Sequence, residues 1–213
     1  MMSPPIDPAQ LVLFASATLL LNLTPGPDLL YTMSRAVGQG WRSGVAAACG
    51  NFCGTILQTT AVVLGLASIL ATSAAAFEII RWLGVVYLLY LGARAWRAGG
   101  SVEGTNQRPP ATHRRVLAEA FVIHTLNPKV VLFFLAFLPQ FIDPGRGPAW
   151  SQLAFLGLWF AGQTFGTLVV LSALADRLGT SFRSRPGLVT LARRSCGVLF
   201  VGLGLKLALA ARS

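Results

Sequence analysis

Two proline-broken stretches sit inside long apolar runs: Asn22-Leu23-Thr24-Pro25-Gly26-Pro27-Asp28 and Asn127-Pro128-Lys129. Proline has no amide donor and clashes with the preceding helical turn. It also pushes the residue before it out of the helical region. Each stretch therefore interrupts a helix. The surrounding apolar runs reach about 20 residues, the length at which a helix crosses roughly 30 Å of hydrocarbon. In hydrocarbon, a freed carbonyl or amide is costly unless it faces protein, water or a ligand. A broken span must therefore satisfy its own break, and two such breaks point to a transporter rather than a receptor or a structural protein.

Composition agrees with spans in lipid. The 213 residues are 54% hydrophobic and 11% charged, against about 25% charged in an ordinary soluble domain. The net charge of +10 comes from 17 basic and 7 acidic residues. The bases lie in short clusters between apolar runs, which fits the positive-inside rule and not nucleic-acid binding. The opening MMSPPIDPAQ lacks the basic region of a secretory signal, and no small-residue cleavage site follows the first apolar run, so the first span is expected to stay in the mature chain. Cys49, Cys53 and Cys196 lie in apolar runs without CxxC spacing. They read as small core residues rather than a disulfide framework or a zinc site.

Six spans are expected: about Pro8 to Arg35, Gly44 to Leu70, Phe77 to Trp96, Val116 to Phe141, Ser151 to Ala175 and Val189 to Ala210. Spans 1 and 4 carry the breaks. The loops after spans 1, 3 and 5 hold Arg35, Arg42, Arg94, Arg97, Arg108, Arg114, Arg115, Arg177, Arg183, Arg185, Arg193 and Arg194, whereas the other face holds Arg81, Arg146, Lys206 and Arg212. That asymmetry puts both termini outside the cytoplasm and the linker between spans 3 and 4 inside it.

The halves repeat. The Asn-Pro breaks correspond, Gly50-Asn51-Phe52-Cys53-Gly54 matches Gly162-Gln163-Thr164-Phe165-Gly166, and Arg81-Trp82-Leu83-Gly84-Val85 matches Arg194-Ser195-Cys196-Gly197-Val198. An odd number of spans per half forces opposite orientations. The expected fold is thus an all-α polytopic membrane protein. Six transmembrane helices form two inverted three-helix repeats in a single transporter domain over residues 1–213. Repeat 1 covers about 8–97, the cytoplasmic linker about 98–115 and repeat 2 about 116–210.

The candidate substrate-binding residues are those at the breaks, Asn22, Thr24, Pro25, Gly26, Pro27, Asp28, Asn127, Pro128 and Lys129, with Asn51 and Gln163 from the flanking spans. Gly26 lends the break freedom to bend. The half-helix beginning near Asp28 exposes amides that favour a carboxylate. Asp28 and Lys129 are an acid and a base at membrane depth, where a charge needs a partner. They pair with each other or with the ammonium and carboxylate of a substrate, and Asp28 also caps its half-helix. Asp28 is the candidate carrier of a coupling proton. The glycine pairs read as surfaces for close helix contact, and Asn51 and Gln163 line the cavity or bond between helices. Tyr87 faces the cavity or the interface belt, and Tyr90 the belt. His124 reads as a satisfied core histidine or, at membrane depth, a proton relay, and Glu119, Arg114 and Arg115 as solvated at the cytoplasmic edge. No phosphate loop, catalytic grouping or metal-ligand spacing is present, so neither an enzyme nor a bound cofactor is expected.

These residues resemble the lysine exporter family (LysE/RhtB, homoserine/threonine resistance) of bacterial amino-acid exporters. The matches are Asn22-Leu23-Thr24-Pro25-Gly26-Pro27-Asp28, Gly50-Asn51 with Gly54, Gly84 through Gly92 with Ala93-Arg94, and Asn127-Pro128-Lys129 with Phe133-Phe134 and Phe137 through Phe141. The resemblance implies export of amino acids or their derivatives across the bacterial inner membrane, driven by protons, and admits a homodimer. Two other functions stay open from the residues alone. A cation exporter would gather several acids or thiolates, and only one acid lies at midplane. A thiol–disulfide electron carrier would need a cysteine pair poised near the midplane.

Overall fold

In the computed structural model the described residues are 5–24, 26–72 and 109–178, with isolated positions at 78–79, 82, 85–86, 89–90, 93, 198 and 201–202. Apart from those positions, spans 3 and 6 and the linker up to residue 108 lie outside the described residues. So do Pro25, Tyr87, Cys196 and most of the Arg81/Arg194 match.

The described segments are helical, with no strand among them. They are α1 (Pro8–Leu23), α2 (Pro27–Gln39), α3 (Trp41–Thr72), α4 (His113–Thr125), α5 (Pro128–Phe137) and α6 (Ala149–Leu178), with two 3₁₀ turns at Leu138–Phe141 and Pro144–Arg146. The last three residues of the expected linker are helical rather than loop: α4 starts at His113 because the Thr112 side chain accepts from the Arg115 amide. Two helices are individually long and apolar enough to span, over Trp41–Gly65 and Ala149–Ala175. The other two spans are bent pairs, α1 with α2 at 60° and α4 with α5 at 47°.

The bends fall where proline dictates. Thr24 and Asn127, each followed by proline, have extended ψ values of 122° and 107°. Each proline that opens α2 and α5 occupies a first-turn position, where a missing amide costs nothing. Gly40 has φ 84° and turns α2 sharply into α3, a conformation that glycine adopts without strain.

The two broken helices touch at both ends. Phe14 of α1 packs on Phe133, Phe137 and Phe141, at ring separations of 6.5, 6.1 and 5.3 Å. Phe160 of α6 adds an edge contact to Phe134 at 4.9 Å. At the opposite end, Tyr31 and Arg35 of α2 meet Glu119 of α4. The start of the first broken helix thus lies beside the end of the second, and the two run antiparallel.

α3 packs along both α4 and α6. A Cβ on Gly50 would collide with the Leu117 carbonyl oxygen and lie 2.8 Å from Ala120 Cβ and 2.9 Å from the Phe121 amide. On Gly54 it would lie 3.1 Å from Thr125 Oγ1. This is the close contact expected of the first glycine pair. The second pair differs: among the described residues nothing lies within 4 Å of a Cβ at Gly162 or Gly166. Gly157 does that work on α6, against the Thr59 side chain. Because the obstacle at Gly50 is backbone, Gly50→Ala is expected to lower stability by about 1–3 kcal/mol through helix displacement. Gly162→Ala should cost nothing, and thermal unfolding in detergent compares the two.

Candidate functional site

The two breaks meet at the centre of the bundle. Lys129, in the first turn of α5, is buried and sends its ammonium to the end of α1. Its Nζ donates to the Leu21 carbonyl at 2.9 Å and to the Thr24 carbonyl at 3.0 Å. The last carbonyls of a helix have no partner within it and carry partial negative charge, so a cation there meets both needs. Lys129 from the second half thereby closes the break in the first.

Asp28 is 6% exposed and does not cap α2: the N-cap is Gly26, and Asp28 lies in the first turn, where a helix favours an anion. Its Oδ2 lies 3.7 Å from His124 Nδ1, and its Oδ1 makes no hydrogen bond. Gly26 sits between the charges: a Cβ there would be 3.0 Å from Asp28 Oδ1 and 3.1 Å from Lys129 Nζ. Both charges therefore lie within about 6 Å of each other, the range over which opposite charges support one another. The geometry corrects the reason for the glycine. With φ −148° and ψ 172°, position 26 is extended backbone that any residue adopts. A side chain there would instead press on the ends of Asp28 and Lys129 and make them shift.

Around this pair lies a ring of buried amides and hydroxyls. The Asn127 Oδ1 accepts from the Lys129 amide at 3.0 Å. Because that donor is an N–H, the orientation of the amide is settled, and Nδ2 is the atom left without a partner. Asn51 is settled likewise. Thr32 Oγ1 gives its one proton to the Asp28 carbonyl, so Asn51 Nδ2 must donate to it, at 3.2 Å. Asn51 Oδ1 is then unpartnered. Asn22 Oδ1 accepts from Thr164 Oγ1 at 3.1 Å, and its Nδ2 is unpartnered. Thr24 turns its hydroxyl back to the Leu20 carbonyl at 2.8 Å, leaving its own carbonyl to serve Lys129.

The candidate residues Asn22, Thr24, Gly26, Asp28, Asn127 and Lys129 thus converge, with Pro27 and Pro128 opening the two half-helices. Asn51 joins them through an α3–α2 hydrogen bond. Gln163 does not meet the pair directly: it donates to the Ala15 carbonyl of α1 at 2.8 Å and accepts from Trp159 at 3.2 Å. Its neighbour Thr164 takes the inward position.

Three residues gain partners that the sequence did not assign. His124 is fully buried and bonds through Nε2 to Thr55 Oγ1 at 2.9 Å. Thr55 carried no motif. Glu119 is not a freely solvated edge residue but the centre of a cluster. It accepts from Tyr31 at 2.7 Å, from buried Arg35 at 2.9 Å and from Arg115 at 2.8 Å. Arg35 also bonds Tyr31, Gln39 and the Pro109 carbonyl. At the other end, Arg146 joins Asp7 at 3.0 Å and Asp143 at 3.3 Å. Among the described residues no group of three or more His, Cys, Asp or Glu side chains is placed to hold a metal ion.

Comparison with known proteins identifies the family. The family model of the LysE type translocator matches residues 19–211. A membrane protein of Vibrio cholerae without assigned function is 33% identical over 90% of this chain and 92% of its own length. The homoserine/homoserine lactone efflux protein of Salmonella typhimurium is 30% identical, covering 89% and 91%. The leucine efflux protein of the same species is 31% identical, covering 89% and 90%. No solved structure matches the chain. Its long apolar helices and this kinship make the chain a multi-pass membrane protein, and it belongs to the LysE type translocator family.

Proposed function

We propose that this protein exports amino acids or their derivatives from the bacterial cytoplasm across the inner membrane, in exchange for protons. The observation that carries the reading is the pair of opposite unpartnered groups at the meeting of the breaks. Asp28 Oδ1 is a bare carboxylate oxygen, and Asn127 Nδ2 is a bare donor. A zwitterion presents an ammonium to the first and a carboxylate to the second. Lys129 contributes through its field rather than by direct grip, because its ammonium already holds the end of α1.

The names of the relatives support the ammonium as the shared handle. Leucine, homoserine and homoserine lactone all carry an α-amino group, whereas the lactone has no free carboxylate. The antiparallel broken helices support two inverted repeats, with the site at their interface and transport by rocking of one against the other. With the arginine-rich loops inside and both termini outside, the Arg35–Glu119–Tyr31 cluster is the cytoplasmic latch, and the Asp7–Arg146 pair the external one.

The test is counterflow into proteoliposomes. Vesicles preloaded with unlabelled leucine or homoserine are expected to accumulate the labelled amino acid, and an imposed pH gradient to increase that accumulation. Absence of exchange for every amino acid, together with robust flux of an inorganic cation, would overturn the reading.

A further inference from the structure

We infer that Asp28 and His124 bind the coupling proton as one shared unit, and that this proton and the substrate ammonium compete for the same carboxylate. The inference deepens the proposed exporter reading and rests on it.

The approach of His124 to Asp28 carries the argument. Thr55 Oγ1 lies 3.0 Å from the Asn51 carbonyl, its helical i−4 acceptor, and 2.9 Å from His124 Nε2. A hydroxyl has one proton to give. That proton goes either to the Asn51 carbonyl, with Thr55 accepting from Nε2–H, or to a bare Nε2, with the ring's own proton on Nδ1. In both cases Nδ1 is the ring atom that faces Asp28 Oδ2, 3.7 Å away. One added proton makes the two an imidazolium beside a carboxylate or a neutral ring beside a carboxylic acid, and such a proton belongs to the pair rather than to one residue. Among the described residues Nδ1 has no hydrogen-bond partner.

The surroundings narrow the source of that proton's stabilisation. α5 faces the pair with Lys129, its one nearby charge. α3 faces it with Gly54, Thr55, Gln58 and Asn51, none of them charged. The Tyr31, Arg35 and Glu119 cluster lies about a helical turn away toward the end of the bundle. Gln58 pins the His124 and Thr125 carbonyls at 3.1 Å each, which fixes the ring's backbone.

The two oxygens of Asp28 thus have two uses. Oδ2 addresses His124, and Oδ1 is open to an ammonium. A proton on the pair removes the net negative charge that an ammonium needs. Loss of that proton restores the charge. Proton and substrate therefore occupy the site in turn, which is the condition for exchange rather than co-transport.

The chain has two histidines, and His113 is exposed at the start of α4. His113→Gln leaves His124 as the single imidazole, and ¹⁵N NMR of the reconstituted protein then reports on it alone. If the proton is shared, Asp28→Asn is expected to move the midpoint of the ring's protonation by about one pH unit or more. Saturating leucine should also move it in the His113→Gln protein. A midpoint unchanged by Asp28→Asn overturns the inference. In proteoliposomes, His124→Gln is expected to lose at least about tenfold more of the pH-driven accumulation than of the amino-acid counterflow. Full pH-driven accumulation in that variant overturns it too. Failure of counterflow in the parent protein overturns the exporter reading instead, and leaves the NMR result to judge the proton site.

Discussion

Lys129→Met is expected to be the most damaging single substitution, lowering stability by roughly 3–5 kcal/mol, the usual cost of removing one member of a buried charge pair. Two losses combine. Leu21 and Thr24 lose the ammonium that donates to their carbonyls, which leaves the end of α1 unsatisfied in a buried site. Asp28 also loses its nearest positive neighbour. Thermal unfolding in mild detergent measures the sum, and the double substitution with Asp28→Asn separates the parts. The double variant is expected to recover part of the loss, because it removes the stranded carboxylate but not the stranded carbonyls. A double variant as unstable as Lys129→Met alone would show that helix-end capping accounts for everything.

Asp28→Asn should carry the largest effect on transport. The amide keeps the shape of the side chain and removes its charge. A hydrogen bond to a charged group contributes about 1.5–3 kcal/mol, so the apparent affinity for an amino acid should fall about 10- to 100-fold. The loss should follow the ammonium. Homoserine and homoserine lactone, which share it, should lose equally, while deaminated analogues should be transported no worse than before. Competition for counterflow by the three compounds makes the measurement. An unchanged affinity for homoserine would remove Asp28 from the substrate site. The same variant is also expected to abolish pH-driven accumulation, because the proposed proton site loses one of its two members.

The residues differ in how far they could be understood from sequence. Proline acts on its own covalent neighbours, so the interruptions at Thr24 and Asn127, and the half-helices starting at Pro27 and Pro128, were legible directly. Apolar run length placed the ends of spans 1, 2, 4 and 5 within a few residues of α1–α6. Asn51 and Gln163 show where such reading stops. A helix turns about 100° per residue, so choosing between Gln163 and Thr164 means knowing which face of α6 meets α1. Periodicity cannot tell those faces apart in a helix that is apolar nearly all round. The glycine pairs fail for the same reason. Gly50 and Gly54 meet α4, whereas on α6 the close approach falls at Gly157, outside the repeated motif.

His124 and Glu119 were undervalued because their significance lies in partners far along the chain. His124 gains its role from Asp28 on α2 and Thr55 on α3. Glu119 gains its own from Tyr31 and Arg35. Neither spacing produces a motif, because the helices that bring these residues together are joined by long stretches of chain.

Sequence alone determined that this protein lies in a membrane, that two of its spans break, and that one acid and one base stand at the breaks. Those properties follow from local covalent chemistry and from the cost of burying polar groups in lipid. Only the tertiary structure decided what the base does. Lys129 reaches the end of α1, more than a hundred residues earlier in the chain, because the two broken helices run antiparallel and bring their breaks together. The packing also decided that Asp28 keeps one oxygen for His124 and one bare. Such pairings depend on which helix faces meet, and a chain's own periodicity does not encode its neighbour's face.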